Sequence, residues 1–107
     1  MSLDVYLMAI RPTEVYTCNI THNLGKMAAA AGIYEHLWGP NEIGITKAQQ
    51  LIAPLEEGLA KLQDDPERFA EFNPKNGWGD HGGLVRFVQT YLGACRENPD
   101  AEVTTSR

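Results

Sequence analysis

Leu3-Asp4-Val5-Tyr6-Leu7-Met8-Ala9-Ile10 alternates, with Leu3, Val5, Leu7 and Ala9 on one side and Asp4, Tyr6, Met8 and Ile10 on the other. A repeat of two places every second side chain on one face of an extended chain, so residues 3–10 read as a β-strand with one apolar face. Arg11-Pro12-Thr13 reads as a turn, and Glu14-Val15-Tyr16-Thr17 is β-prone enough to run back beside the first strand. At the other end, Ala101-Glu102-Val103-Thr104-Thr105 reads as a short closing strand that pairs with the first.

Between these strands the apolar residues follow helical spacing. The chain enters a helix at about residue 22, and Leu24, Met27, Ala31, Tyr34 and Trp38 carry it forward until Gly39-Pro40-Asn41. Thr46-Lys47-Ala48-Gln49 has the form of a capping box, opening a second helix with Ala48, Leu51, Ile52, Leu55, Leu59 and Leu62 on one stripe. Pro54 inside that stripe lacks an N–H and crowds the turn before it, so a kink or a split is expected there. Asp65-Pro66 reads as an N-cap and first helical residue, giving a short helix through Phe72. Asp80 is placed to cap a last helix striped with Leu84, Phe87, Val88, Tyr91, Leu92 and Cys95, which Asn98-Pro99-Asp100 ends.

The expected fold class is therefore α+β, a single domain over residues 1–107. A small two- or three-stranded antiparallel sheet, from the N-terminal strands and the C-terminal strand, carries three to four helices on one face. A sheet that narrow leaves an edge, and a second copy covering it would make the protein a homo-oligomer.

Charge and composition exclude several classes of partner. The formal net charge is −5, and the nine Lys and Arg residues are scattered, which opposes binding to long nucleic acid. No apolar run approaches the roughly 20 residues that span a bilayer, and no basic amphipathic face suits a membrane surface. Met1-Ser2-Leu3-Asp4-Val5-Tyr6 has no basic stretch before an apolar one, so no signal peptide is expected, and the protein reads as cytoplasmic. Cys18 and Cys95 then read as free thiols, and the sequon Asn19-Ile20-Thr21 as a chance match. His22, His36 and His81 show no metal-ligand spacing, and no phosphate loop, dinucleotide fingerprint or nucleophile elbow is present. No metal and no cofactor are expected.

Two polar stretches exceed what helix entrances need. Thr17-Cys18-Asn19-Ile20-Thr21-His22-Asn23 packs five hydrogen-bonding side chains into a segment where one oxygen suffices to cap. Thr17, Asn19 and Thr21 alternate and so share a side if the chain is extended, while His22 and Asn23 fall at a helix's first turn. The plain alternative is a cap, a turn and one exposed histidine. Asn73-Pro74-Lys75-Asn76-Gly77-Trp78-Gly79-Asp80-His81-Gly82-Gly83 is the second stretch, with a turn signal at Asn76-Gly77. Trp78 between two glycines is either a lid folded onto the core or a flat platform for a ring. Asp80 is expected to cap and His81 to be exposed.

Asp4-Val5-Tyr6-Leu7, Tyr16-Thr17-Cys18-Asn19, the Asn73-Pro74-x-Asn76-Gly77-Trp78-Gly79-Asp80 segment and Ala94-Cys95-Arg96-Glu97-Asn98-Pro99-Asp100-Ala101 together resemble a family of small uncharacterised bacteriophage and prophage proteins. The resemblance covers most of the chain, and the Asn-Pro-x-Asn-Gly-Trp-Gly segment is its most specific part. It implies no transferable activity. What it implies is a host bacterial cytoplasm and a role against host defence, for which sequestering a nucleotide messenger is one physical route.

The sequence thus points to a protein that binds a small anionic or ribose-bearing ligand without turnover. Trp78 or Tyr16 would stack on a ring, and Thr17, Asn19, Thr21, His22 and Asn23 would meet phosphate or hydroxyls. Asn76 and the glycine backbone would line the opposite wall, Asp80 and His81 would be among the binding residues, and Lys75 or Arg86 would supply charge. A protein that blocks a host factor through its acidic helical surface is the alternative; a small hydrolase pairing His22 with His81 is the third.

Overall fold

The computed structural model describes residues 2–9 and 14–107. The alternating segment is strand β1 (Ser2–Met8), with Leu3, Val5 and Leu7 fully buried. β2 (Glu14–Thr21) and β3 (Glu102–Ser106) flank it, giving an antiparallel sheet of order β2-β1-β3. Ile10, expected to end the first strand, and the expected turn at Arg11-Pro12-Thr13 lie outside the described residues. β1 pairs with β2 from Ser2 opposite Thr21 to Leu7 opposite Tyr16, after which the register shifts at Val15.

β2 runs four residues further than the β-prone Glu14–Thr17 segment predicts, so most of the first polar stretch is strand rather than loop. The cause is its own alternation. Tyr16, Cys18 and Ile20 face the helices, while Thr17 and Asn19 lie exposed on the uncovered side of the sheet. The α+β class with helices on one face is as expected.

The single helix expected from residue 22 to Trp38 is instead three short pieces: a 3-10 turn at His22–Leu24, α1 (Gly25–Ala30) and α2 (Tyr34–Trp38). Gly32 adopts φ 80°, which an L side chain resists, and ends α1. Its N–H donates to the Ala29 carbonyl at 3.0 Å and the Ile33 N–H to the Ala28 carbonyl at 3.0 Å. Those are the paired bonds of a Schellman ending, with buried Ile33 supplying its apolar contact.

α3 (Gln49–Asp64) follows, and Pro54 lies inside it without splitting it. The expected capping box is displaced by one residue: Gln50, not Gln49, reaches back, its Oε1 accepting from the Thr46 and Lys47 N–H groups at 2.8 and 2.9 Å. Asp65 caps α4 (Pro66–Ala70) through the Arg68 N–H, and Asp80 caps α5 (His81–Glu97) through the Gly83 N–H at 2.7 Å. Two exposed ion pairs, Arg96–Glu56 and Arg107–Glu42, decorate this frame. At such exposure each is worth well under about 1 kcal/mol.

One cluster of buried side chains joins the inner sheet face to the helices. Leu3, Val5, Leu7, Ile20 and Val103 meet Leu51, Leu55 and Leu62 of α3 and Leu84, Phe87, Val88, Tyr91 and Cys95 of α5. Tyr91 is fully buried, and its hydroxyl has no hydrogen-bond partner among the described residues. Tyr16 stacks on it with ring centroids 5.9 Å apart and donates its own hydroxyl to Thr90 Oγ1 at 3.3 Å.

Burial pushes the Tyr16 hydroxyl and the Cys95 thiol each up to about 12, and the Tyr91 hydroxyl higher still. The folded chain therefore holds protons that an unfolded chain releases near 9.0 for the thiol and 10.0 for the phenols. Stability from these groups is complete below the lower of those values and falls as pH rises from about 9 towards about 12. Thermal melts across that window should show a plateau followed by a steep decline. Tyr91→Phe should raise stability by about 1 kcal/mol at neutral pH, by removing a buried hydroxyl without a partner, and should make the decline shallower. A less stable Tyr91→Phe protein would show that the hydroxyl is satisfied.

Candidate functional site

The two polar stretches meet. Asn19 and Thr21 at the end of β2, Asn23 in the 3-10 turn, and Asn76 and Trp78 of the later loop line one groove with Ser2, of about 510 Å³. Thr21 caps the 3-10 turn by accepting the Asn23 N–H at 3.3 Å, which fixes the direction in which the chain leaves the sheet. On the other wall, the Asn76 Oδ1 accepts the Trp78 N–H at 3.0 Å, and the Gly77 N–H donates to the Pro74 carbonyl. This small turn holds Trp78 at the surface, where it is 67% exposed. The tryptophan is a platform beside the groove, not a lid on the core.

Gly79 is the joint between the walls. Its φ is 96°, and a Cβ there would lie 2.8 Å from Thr21 Cγ2 and 3.0 Å from Leu24 Cγ. Only a residue without a side chain lets the loop settle this closely on the 3-10 turn. Asn73 closes the loop's far end, its Oδ1 accepting the His81 N–H at 2.8 Å.

Other sequence-predicted residues lie apart from the groove. Tyr16 belongs to the inner sheet face against Tyr91, so it is no stacking partner for a ligand held beside Trp78. Thr17 is exposed on the open sheet face, opposite Tyr6, and does not line the groove. His22 sits edge-on to Trp38, with centroids 6.1 Å apart, and lines a separate concavity with Asn23, Lys26, Glu71, Phe72, Asn73 and Pro74. Lys75 is exposed on the loop and lines neither. Asp80 has its carboxylate engaged as a cap.

His81 corrects the expectation of an exposed imidazole. It is half-buried, its Nε2 lies 2.7 Å from the Leu62 carbonyl, and its ring stacks on Phe69. A carbonyl can only accept, so Nε2 carries the hydrogen. That hydrogen bond ties the start of α5 to the end of α3. The two histidines sit in different surroundings: His81 is tied to the Leu62 carbonyl and stacked on Phe69, whereas His22 packs edge-on against Trp38.

Arg86 lines a different, largely apolar groove between β2 and α5, with Cys18, Asn19, Ile20, Thr21, Leu24 and Phe87 among its walls. Ser2 is the groove residue that the sequence reading missed. Its position follows from the β1–β2 register, which sets it opposite Thr21. The walls beside Trp78 are thus hydroxyls and amides, and none of the groove's side chains titrates near neutral pH. Such a set offers donors and acceptors to sugar hydroxyls or a base edge but no proton relay. Comparison of the chain with protein-family models, with curated proteins and with solved structures found no match.

Proposed function

We propose that the protein binds a small ring-bearing, hydroxyl-rich ligand of the nucleoside or nucleotide type, and releases it unchanged. The observation that supports this most is Trp78, held outward by Asn76 beside a groove whose other walls are Asn19, Thr21, Asn23 and Ser2. An aromatic face stacks on any base, with a worth of about 1–3 kcal/mol per base. Asn19, Asn23 and Asn76 each bring an amide able to donate and accept, which suits a base edge or a ribose. The neutral lining favours base and sugar inside the groove, with any phosphate towards solvent; Lys75, adjacent to Asn76, is the nearest cation along the chain. The phage resemblance gives the binding a purpose: in a host cytoplasm, such a protein would hold a nucleotide-type defence signal away from its receptor.

Calorimetric titration with a panel of nucleosides, nucleotides and monosaccharides tests this reading. At least one member should bind, and Trp78→Ala and Asn19→Ala should each weaken it tenfold or more. Stability should change by less than about 1 kcal/mol, because both side chains are exposed. Ligand recovered after denaturation should be intact. A panel without binders, or binding indifferent to Trp78→Ala, removes the proposal; recovered product would make the protein an enzyme.

A further inference from the structure

The second groove lies along the outer edge of β2, the one strand edge to which the structure gives no partner among the described residues. The opposite edge is partly closed, because the Val103 N–H donates to the Thr46 carbonyl at 2.9 Å and Lys47 bridges Glu102. That bond also sets the polarity of the whole sheet. Val103 faces away from β1, so its partner Leu7 directs its own amide and carbonyl at β2. By alternation Leu7–Tyr16, Val5–Cys18 and Leu3–Ile20 are the bonded pairs, and the amides and carbonyls of Thr17 and Asn19 point outward. The Cys18 thiol donates to the Asn19 carbonyl at 3.8 Å.

α5 flanks this edge. Gly83, Arg86, Phe87 and Thr90, spaced as one helical stripe, face Cys18, Asn19, Ile20 and Thr21 across a volume of about 310 Å³, with Leu24 and Gly79 at one end. Both walls run roughly 10 Å, the reach of three to four extended residues. Ile20, Leu24 and Phe87 are buried there, and Arg86 is the single charge in the lining. The arginine has no ion-pair partner among the described residues.

We propose that this groove takes an extended peptide segment of another protein, added to β2 as a fourth strand, with an apolar side chain over Phe87 and an acidic side chain on Arg86. The main-chain bonds would come from Thr17 and Asn19, and pockets for alternate side chains would give the selectivity. A second copy joined edge to edge fits poorly. Its own α5 would flank the shared edge, and two helices of about 10 Å diameter would compete for one strand spacing of about 4.8 Å. A lone strand brings no helix. The charge in the groove favours an acidic segment, since Arg86 is the charged residue of its lining.

The test is selection of displayed random octapeptides on the purified protein, followed by anisotropy titration of the enriched peptide and amide hydrogen exchange. The expected enrichment is an acidic residue two positions from an aliphatic one, without proline between them. Exchange at Thr17 and Asn19 should slow on binding. Arg86→Gln should weaken the peptide at least tenfold and erase its preference for the acidic over the lysine-substituted version. Thr17→Pro, which loses no bond to β1, should abolish binding while the circular dichroism spectrum stays unchanged. Absence of enrichment, an acidic preference surviving Arg86→Gln, or Thr17 and Asn19 amides already protected in a dimer without peptide would each overturn the proposal. The Trp78 ligand site stands or falls separately, because Trp78→Ala leaves this groove's lining intact.

Discussion

Gly79→Ala is expected to detach the 73–79 loop from the body of the protein and to abolish binding beside Trp78. Two costs combine at this position. An alanine at φ 96° is strained by about 1–2 kcal/mol, and its Cβ would sit 2.8 Å from Thr21 Cγ2 and 3.0 Å from Leu24 Cγ. Leu24 is buried and Thr21 is tied to the Asn23 amide, so neither yields readily. We expect a loss of about 2–3 kcal/mol by denaturant titration. Gly77→Ala is the matched control: its φ is also positive, at 78°, but no atom of the described residues lies within 4 Å of the added carbon. It should cost about 1 kcal/mol, the strain alone. Equal costs at 77 and 79 would mean that the loop does not rest on the 3-10 turn, and the groove would then have one wall.

Gly58→Ala should be the other large effect, and its sign runs against helix propensity. In the middle of α3, alanine is ordinarily favoured over glycine by about 1 kcal/mol. Here the new Cβ would overlap Ile33 Cγ2 and press on Ile33 Cδ1 at 3.1 Å. Ile33 is buried and its N–H is fixed on Ala28 by the Schellman ending, so it cannot retreat. Overpacking of this kind costs about 1–3 kcal/mol, so after the propensity gain a net loss of up to about 2 kcal/mol is expected. Gly93→Ala in α5 makes the same chemical change where no atom of the described residues lies within 4 Å, and should stabilise by about 0.5–1 kcal/mol. Combining Gly58→Ala with Ile33→Ala should be less harmful than the two losses added, because the overlap then disappears. Additive losses would refute the contact.

Much of the architecture was legible because it rests on periodicity. The alternation of Leu3, Val5 and Leu7, the stripe from Leu84 to Cys95 and the caps at Asp65 and Asp80 are local signals, and local hydrogen bonds carry them out. Where the reading failed, a local signal was outweighed or misweighed. Thr17 to Thr21 is rich in residues that turns and caps favour, whereas Tyr16, Cys18 and Ile20 alternate as a strand does and the strand prevails. The run from Ala28 to Ala31 promised an unbroken helix, yet Gly32 followed by apolar Ile33 is the signature of a helix stop. Gln49 and Gln50 are both able to reach back to the residues before α3, and only the backbone geometry chooses between them.

For the site, the two asparagine-bearing stretches could be named but their adjacency could not. Residues 19 and 76 are brought together by long-range packing, and Gly79, the residue that permits it, looked like one glycine among four. His81 shows the opposite failure. Its partner is a main-chain carbonyl at Leu62, and no residue type at position 62 could have announced that bond.

The chain's only two tryptophans sit in opposed surroundings: Trp38 is enclosed and stacked on Tyr34 at 5.2 Å, while Trp78 stands in water. Their ultraviolet emission should therefore separate into a blue and a red component. Iodide or acrylamide should quench the red one alone, and anything covering the indole at position 78 should shield it. The unlabelled native chain thus carries an optical gauge of groove occupancy, with Trp38 as its internal reference for whether the fold is intact.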